Sequence, residues 1–194
     1  SFGEFVKKAP TNNFGKFSIF TAFLNLTTAI SGPLVAIYLL RFLQFTYTTY
    51  MIIIMSGTVF SLLFLRFWGK ISDKYGNYNV LLITTLFIPL IPILWILSEN
   101  PIYFILAPSL IGGVAWAGFY LAATNFIYDN VKPQKRGFAV SYYNMLNGIG
   151  IAIGAGIGAI LIKFLTIDNP IFVIFFIGGI LRMVVVFFGI KHLK

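Results

Sequence analysis

The sequence predicts an all-α integral membrane protein with six transmembrane helices. First, 59% of its 194 residues are hydrophobic and only 10% are charged, whereas soluble domains have about 45–50% apolar and about 25% charged residues. Second, apolar runs of about 18 residues or more follow one another, each long enough to cross a hydrocarbon layer about 30 Å thick. Third, the basic residues collect in alternate connections between these runs.

The six apolar runs define the predicted spans, and the short connections between them contain Gly, Pro, Asn and Asp, which favour turns. A polar and basic lead-in, residues 1–16, precedes the transmembrane domain of residues 17–194. The predicted spans are residues 17–40, 48–67, 78–97, 102–128, 137–165 and 171–190.

The distribution of Lys and Arg predicts the orientation. Two basic residues, Arg41 and Lys163, fall on one side, and Arg182 falls inside the last span. Because cytoplasmic connections retain Lys and Arg, both termini are expected in the cytoplasm of a cell membrane protein. The other eleven basic residues fall on the cytoplasmic side: Lys7, Lys8, Lys16, Arg66, Lys70, Lys74, Lys132, Lys135, Arg136, Lys191 and Lys194.

Composition also argues against several functions. The chain has no cysteine and one histidine, His192 in the basic tail, so no disulfide, thiol chemistry, metal site or cofactor is expected. The net charge of +9 lies mostly at the ends of apolar runs rather than on a soluble basic face, so no nucleic-acid partner is expected. We expect no catalytic residue, and the partners expected are membrane lipids and a small-molecule substrate.

The segment GKISDKYGN after the second span contains a glycine and aspartate pattern. A glycine allows close helix approach, a second glycine allows a tight turn, and an aspartate favours a helix N-terminus. The pattern resembles the cytoplasmic loop signature of the major facilitator superfamily, although Asn77 and Asn79 stand where that family often has basic residues. The matching residues are Gly69, Asp73, Lys74 and Gly76.

A second segment, with Pro133, Arg136 and Gly137 before a glycine-rich helix, is similar to the same family's connection between its fourth and fifth helices. The resemblance implies one six-helix half of a twelve-helix transporter, built from two three-helix inverted repeats. The lead-in resembles the linker before a C-terminal half. The alternatives are an N-terminal half that lacks its first residues and a small self-standing six-helix protein.

In the family, the first, second, fourth and fifth helices of each half line the central cavity. Polar groups within spans tend to face such a cavity or the protein interior. The alternative role for polar residues within the spans is structural, as hydrogen bonds between helices. The residues predicted to line the substrate path are Asn25, Thr28, Trp116, Tyr120, Tyr143 and Asn147.

Glycines recur every four residues in the fifth span, at Gly150, Gly154 and Gly158. Such rows let helices touch closely, so we expect a packing role. A second row comprises Gly148, Ala152 and Gly156.

Arg182 is the only ionisable side chain expected deep within a span, and a structural role is favoured over a functional one. No acidic residue is expected inside a span, so this segment supplies no proton-carrying carboxylate. The five acidic residues are assigned to termini and connections: Glu4, Asp73, Glu99, Asp129 and Asp168.

These features lead to one functional prediction, half of a secondary active transporter that works by alternating access beside a second six-helix half or a second copy. The alternative is a six-helix scaffold or channel-like homo-oligomer. By resemblance, the cytoplasmic loop residues act in gating, and the alternative for them is control of topology alone. The predicted gating residues are Gly69, Asp73, Lys74, Gly76, Asp129 and Arg136.

Overall fold

The computed structural model describes residues 3, 7, 9–165 and 169–192. Within them the chain forms six helices long and apolar enough to cross a membrane, which confirms the predicted architecture. Four charged residues used in the sequence predictions lie outside the described residues: Glu4, Lys8, Asp168 and Lys194. The helices are α1 Asn13–Phe42, α2 Tyr47–Tyr75, α3 Asn77–Leu94, α4 Pro101–Asn130, α5 Pro133–Phe164 and α6 Pro170–His192.

Three of the helices are interrupted near prolines. Because proline lacks a backbone N–H, it leaves a carbonyl without its helical donor and bends the helix. The segments of these helices are Asn13–Ser31, Leu34–Ile37 and the π-helical Tyr38–Phe42 in α1, Asn77–Phe87 and Leu90–Leu94 in α3, and Pro101–Phe104, the π-helical Ile105–Ser109 and Leu110–Asn130 in α4.

Side-chain caps explain where several helices begin. The Asn12 side chain accepts a hydrogen bond from the Gly15 N–H at 2.7 Å, so α1 begins before the predicted position, within the segment assigned to the lead-in. Thr46 and Asn100 cap α2 and α4 in the same way. Such caps satisfy N–H groups that the first helical turn leaves free.

The second helix continues to Tyr75, well beyond its predicted end at residue 67. Its last turns are charged, and their exposed side chains remain solvated while the backbone keeps its helical hydrogen bonds. The helix stops at Gly76, which has a φ of 87°. Glycine adopts such a positive φ more readily than other residues do. The end of the apolar run at residue 67 therefore does not coincide with the end of the helix.

The helix contacts form two matching sets. The most extensive contacts join α1 to α5 and α2 to α4, and the next join α3 to α4 and α6 to α1. If α1 is exchanged with α4, α2 with α5 and α3 with α6, the α1–α5 contact becomes the α2–α4 contact. The α3–α4 contact becomes the α1–α6 contact in the same way. This pairing is the one expected of two inverted three-helix repeats.

Two hydrophobic clusters fill the bundle. One, which includes Phe17, Trp68 and Phe119, lies towards the end that carries the α2–α3 turn and the α4–α5 connection, hereafter the basic end. The other, which includes Tyr38, Phe104 and Phe175, lies towards the opposite end.

Candidate functional site

An asparagine pair joins α1 to α5. The Asn25 side-chain N–H donates to Oδ1 of Asn147 at 2.6 Å, and the Asn147 side-chain N–H donates to the Tyr143 carbonyl at 2.7 Å. Asn147 is buried and Asn25 half-buried. Two residues that are distant in sequence and predicted to line one path are therefore in direct contact.

Aromatic side chains continue this polar group onto α4. The rings of Trp116 and Tyr120 stack with centroids 5.3 Å apart, and Tyr143 stacks on Phe17 at 5.9 Å. Tyr120 is 54% exposed although it lies near the middle of a span. The indole, phenol and amide groups offer flat apolar surfaces with a few hydrogen-bonding atoms, a combination typical of small-molecule sites.

Thr28, the remaining residue of the predicted path, is placed differently. Its hydroxyl oxygen is buried without a hydrogen-bond partner, and its carbonyl accepts from Arg182 on α6. Thr28 thus faces the α6 side of α1, whereas Asn25 faces α5.

A groove of about 330 Å³ lies beside Trp116 between α2 and α4. Gly57 and Thr58 of α2 and Ser109 and Gly113 of α4 are among its lining residues. The groove is shallow and mainly apolar, so it extends the aromatic surface rather than adding charged groups.

The glycines at 150, 154 and 158 set the distance between α1 and α5. A Cβ atom at these positions would overlap the backbone carbonyl oxygens of Ala22, Leu26 and Ile30, respectively. The close approach also brings Asn147 within reach of Asn25. By contrast, nothing described lies within 4 Å of a Cβ built at Gly148 or Gly156.

At the basic end, Asn77 is the centre of a hydrogen-bonded cluster. Its side-chain N–H donates to an Asp129 carboxylate oxygen at 2.7 Å, and its Oδ1 accepts from Asn125 at 2.9 Å and from the Ser72 hydroxyl. The cluster ties the α2–α3 turn to the end of α4. A neutral amide therefore holds Asp129 where a cation would be expected from the family pattern.

The other predicted gating residues are not brought into this cluster. Arg136 donates to the carbonyls of Val131 and Tyr128 at 3.1 and 2.9 Å. Asp73 is exposed in the last turn of α2, near its C-terminal rather than N-terminal end, and no described Lys or Arg pairs with it. The helix N-terminal role expected for this aspartate is therefore wrong.

Two further gating residues also stand apart. A Cβ at Gly69 would meet nothing described within 4 Å, and the Lys74 ammonium lies 5.0 Å from the ring of Tyr75. Gly76, in contrast, has the positive φ that a tight turn requires. Asp73 and Lys74 are both exposed at this end of α2.

Sequence reasoning missed Ser72, Asn77 and Asn125 as a unit. Asn77 departs from the family pattern, and its place beside Gly76 puts it at the same end of the bundle as Asp129. That topology places both residues near one another, but it does not specify which side chains pair.

Arg182 is almost fully buried, with 3% of its surface exposed. It donates to the Ser31 hydroxyl at 2.7 Å and to the carbonyls of Thr28 and Ile88 at 3.2 and 3.5 Å. Among the described residues, no three His, Asp or Glu side chains come together as a metal site.

Six membrane-length helices in paired three-helix contacts, with a polar and aromatic face, define a transporter-type helical bundle. A family model described as Major Facilitator Superfamily matches residues 17–193. The chain belongs to this superfamily of membrane transport proteins, which confirms the resemblance seen in the sequence.

Two curated relatives match about half of the chain. A "Riboflavin transporter RibZ" from Clostridioides difficile (strain 630) is 27% identical over 88 residues, 44% of this chain and 19% of the relative. An "Uncharacterized MFS-type transporter YfiU" from Bacillus subtilis (strain 168) is 28% identical over 94 residues, 48% of this chain and 18% of the relative. The chain thus covers less than a fifth of each relative's length in these alignments.

Proposed function

We propose that the chain is one six-helix half, C-terminal in its parent protein, of a secondary transporter that moves a small organic solute by alternating access. The observation that carries this proposal is an exposed polar face within two of the spans. Tyr120, Thr124 and Asn144 are exposed on α4 and α5. Polar side chains in hydrocarbon need partners or water, so this face is turned towards a water-filled path and a second half.

The small-residue row on α5 supports a partner at the same face. Asn144, Gly148, Ala152 and Gly156 are four residues apart and all exposed, whereas the packed glycines lie on the other side of the helix. Small residues at this spacing allow close helix approach. We assign this row to the contact with the second half, or with a second copy of the chain.

In this proposal Asn25, Trp116, Tyr120, Tyr143 and Asn147 form one wall of the path. Amide and phenol groups orient the solute by hydrogen bonds and the rings bind it by stacking, without covalent chemistry. The basic end faces the cytoplasm, because cytoplasmic connections retain Lys and Arg.

The gating role is assigned by what each aspartate already contacts. Asp129 is held within this half by Asn77, whereas Asp73 is exposed. Asp73 therefore pairs with the second half in one of the two access states, with Gly76 providing the turn that presents it. Asp73→Asn in the full-length transporter is expected to alter transport while membrane insertion stays normal, and unchanged transport would contradict this gating role.

Transport is tested with the full-length protein that contains this chain, reconstituted in vesicles. Uptake is measured with a panel of small aromatic and polar solutes that includes riboflavin, because one relative carries that name. Asn147→Ala is expected to lower uptake of a transported solute at least tenfold. Asn79→Ala, at an exposed asparagine whose side chain donates to the Tyr75 carbonyl of its own neighbouring turn, is the matched control and should transport normally.

The wall is tested separately by labelling. A cysteine at Tyr120 in a cysteine-free background is expected to react with a membrane-impermeant thiol reagent, whereas one at the exposed Ile180 of α6 is not. If cysteines at both positions were equally unreactive with the reagent, the assignment of Tyr120 to a water-filled path would be contradicted. If no second six-helix half is encoded and copies of the chain cross-link through Gly148, the homo-oligomer replaces the two-half arrangement.

A further inference from the structure

Arg182 lies in the membrane interior without an acidic partner among the described residues. Its described contacts are three oxygen atoms, the Ser31 hydroxyl and the Thr28 and Ile88 carbonyls. A buried guanidinium is costly unless other groups compensate its charge. The position of these three oxygens in the helices therefore indicates how the charge of the guanidinium is compensated.

The oxygens lie at the ends of two interrupted helix segments. The first segment of α1 ends at Ser31, just before Gly32 and Pro33. The first segment of α3 ends at Phe87, and Ile88 follows it. Carbonyls in the last turn of a helix carry partial negative charge, so one cation here compensates two helix ends. The Thr28 carbonyl accepts both the Gly32 N–H at 2.9 Å and the guanidinium.

Proline chemistry strengthens the contact on α3. Pro92 has no N–H to donate to the carbonyl of Ile88, four residues earlier. That carbonyl receives the Ile91 N–H at 3.3 Å and the Arg182 guanidinium at a long 3.5 Å. The arginine thus contributes a second donor at a carbonyl that the proline leaves short of one.

Two glycines on α6 make this arrangement possible. A Cβ at Gly178 would lie 3.0 Å from the Ser31 hydroxyl, and a Cβ at Gly179 would lie 3.2 Å from the Pro89 carbonyl. Gly178 and Gly179 thus let α6 approach both breaks closely. The approach places the guanidinium, one turn further along α6, between α1 and α3.

We infer that Arg182 is a positioning residue that holds the bends of α1 and α3, and that it thereby favours one of the two access states. This inference rests on the proposed function, because α1 also carries Asn25 of the path wall. The buried Nε of Arg182 and the hydroxyl of Thr28 have no hydrogen-bond partner. Both retain bonding capacity for a second arrangement, in which α1 is bent differently.

The experiment measures the bend of α1 in the full-length transporter. Spin labels are placed at Arg41, beyond the break in α1, and at Lys163, at the neighbouring end of α5. Arg182→Gln is expected to change the population ratio of the label distances at least about fivefold. It should also lower kcat more than it changes KM.

A second variant and a control separate this role from simple folding. Ser31→Ala removes the shortest Arg182 hydrogen bond and is expected to shift the populations in the same direction by about threefold. In the double variant the two shifts should not add, because both act on one contact. Ser18→Ala removes a buried hydroxyl of α1 that bonds to the Phe14 carbonyl and should leave the distances unchanged.

The outcomes distinguish this inference from the proposed function. A folded Arg182→Gln protein with unchanged distances and kcat would overturn the inference. If that variant does not insert, Arg182→Lys and Ser31→Ala decide, and unchanged distances in both would overturn it equally. Failure of the wild-type protein to transport any tested solute would count against the proposed function, while the distance measurement would still report on Arg182.

Discussion

The α1–α5 and α2–α4 contacts occupy equivalent places in the two repeats, but different side chains fill them. Between α1 and α5, the glycines at 150, 154 and 158 lie against the α1 backbone, and Asn25 bonds to Asn147 just before the first of them. The close helix approach comes first, and the amide pair depends on it.

Between α2 and α4, two glycines of α4, Gly113 and Gly118, combine with a tryptophan of α2. A Cβ at Gly113 would overlap the Gly57 carbonyl, and the Trp68 indole N–H donates to the Val114 carbonyl at 2.8 Å. The same helix pairing thus occurs twice, but of these two contacts the described residues place a pair of amides in α1–α5 alone. Inverted repeats preserve the packing arrangement without preserving residue identity.

The largest effect is expected where the glycines are closest. Gly154→Ala places a methyl group against the Leu26 carbonyl and forces α1 and α5 apart. Overpacking of this kind costs about 1–3 kcal/mol, so the thermal unfolding temperature of the purified full-length protein should fall.

Gly156→Ala is the matched control for this change. It adds the same methyl to the same helix, where nothing described lies within 4 Å. Its unfolding temperature should stay near that of the wild type. Equal losses for both variants would mean that helix distortion, rather than the α1–α5 contact, limits stability.

A smaller loss is expected at the equivalent contact, from Trp68→Phe. The change removes the indole N–H and leaves the Val114 carbonyl with its helical partner alone, at a cost of about 0.5–1.5 kcal/mol for the hydrogen bond. Trp95→Phe provides the control, since Trp95 is also buried and stacks on Phe104. Thermal unfolding should show a greater loss for Trp68→Phe, and the reverse order would contradict the role of this bond.

The asparagine pair is expected to couple weakly in stability and strongly in transport. A double-mutant cycle of Asn25→Ala and Asn147→Ala should give a coupling free energy of about 0.6 kcal/mol, as is usual for hydrogen bonds between membrane helices. Uptake should fall much further than this value implies. Additive unfolding free energies, equal to those of the control pair Asn25→Ala and Asn144→Ala, would show that the bond contributes nothing.

The sequence predicted the six helices because hydropathy and the Lys and Arg distribution depend on the membrane alone. It also assigned Asn25 and Asn147 to the same predicted substrate path. The path and gating roles of these and the other selected residues stay predictions. Helix ends were less accurate, since the charged turns after residue 67 continue α2 in water until Gly76 stops it.

The three-dimensional pairing was harder to anticipate. Spacing along one helix does not specify which neighbour each residue contacts: Asn25 bonds to Asn147 on α5, whereas the Thr28 carbonyl accepts from Arg182 on α6. For the same reason the two glycine rows of α5 looked equivalent, while only one of them contacts α1. The Asn77 cluster depends on three separate segments that meet only in the folded bundle.

The smallest effect is expected at the opposite end of the α2–α4 contact, where the Ser109 hydroxyl donates to the Ile53 carbonyl at 3.0 Å. That carbonyl also receives the Ser56 hydroxyl at 2.6 Å, so Ser109→Ala leaves it satisfied and should cost only about 0.5 kcal/mol. Ser141→Ala, which removes an exposed bond within α5, should change the unfolding free energy less still. A loss at Ser109 as large as that at Trp68 would mean that α2 and α4 are held by distributed polar bonds. The contrast with the glycine-packed α1–α5 contact would then be one of degree.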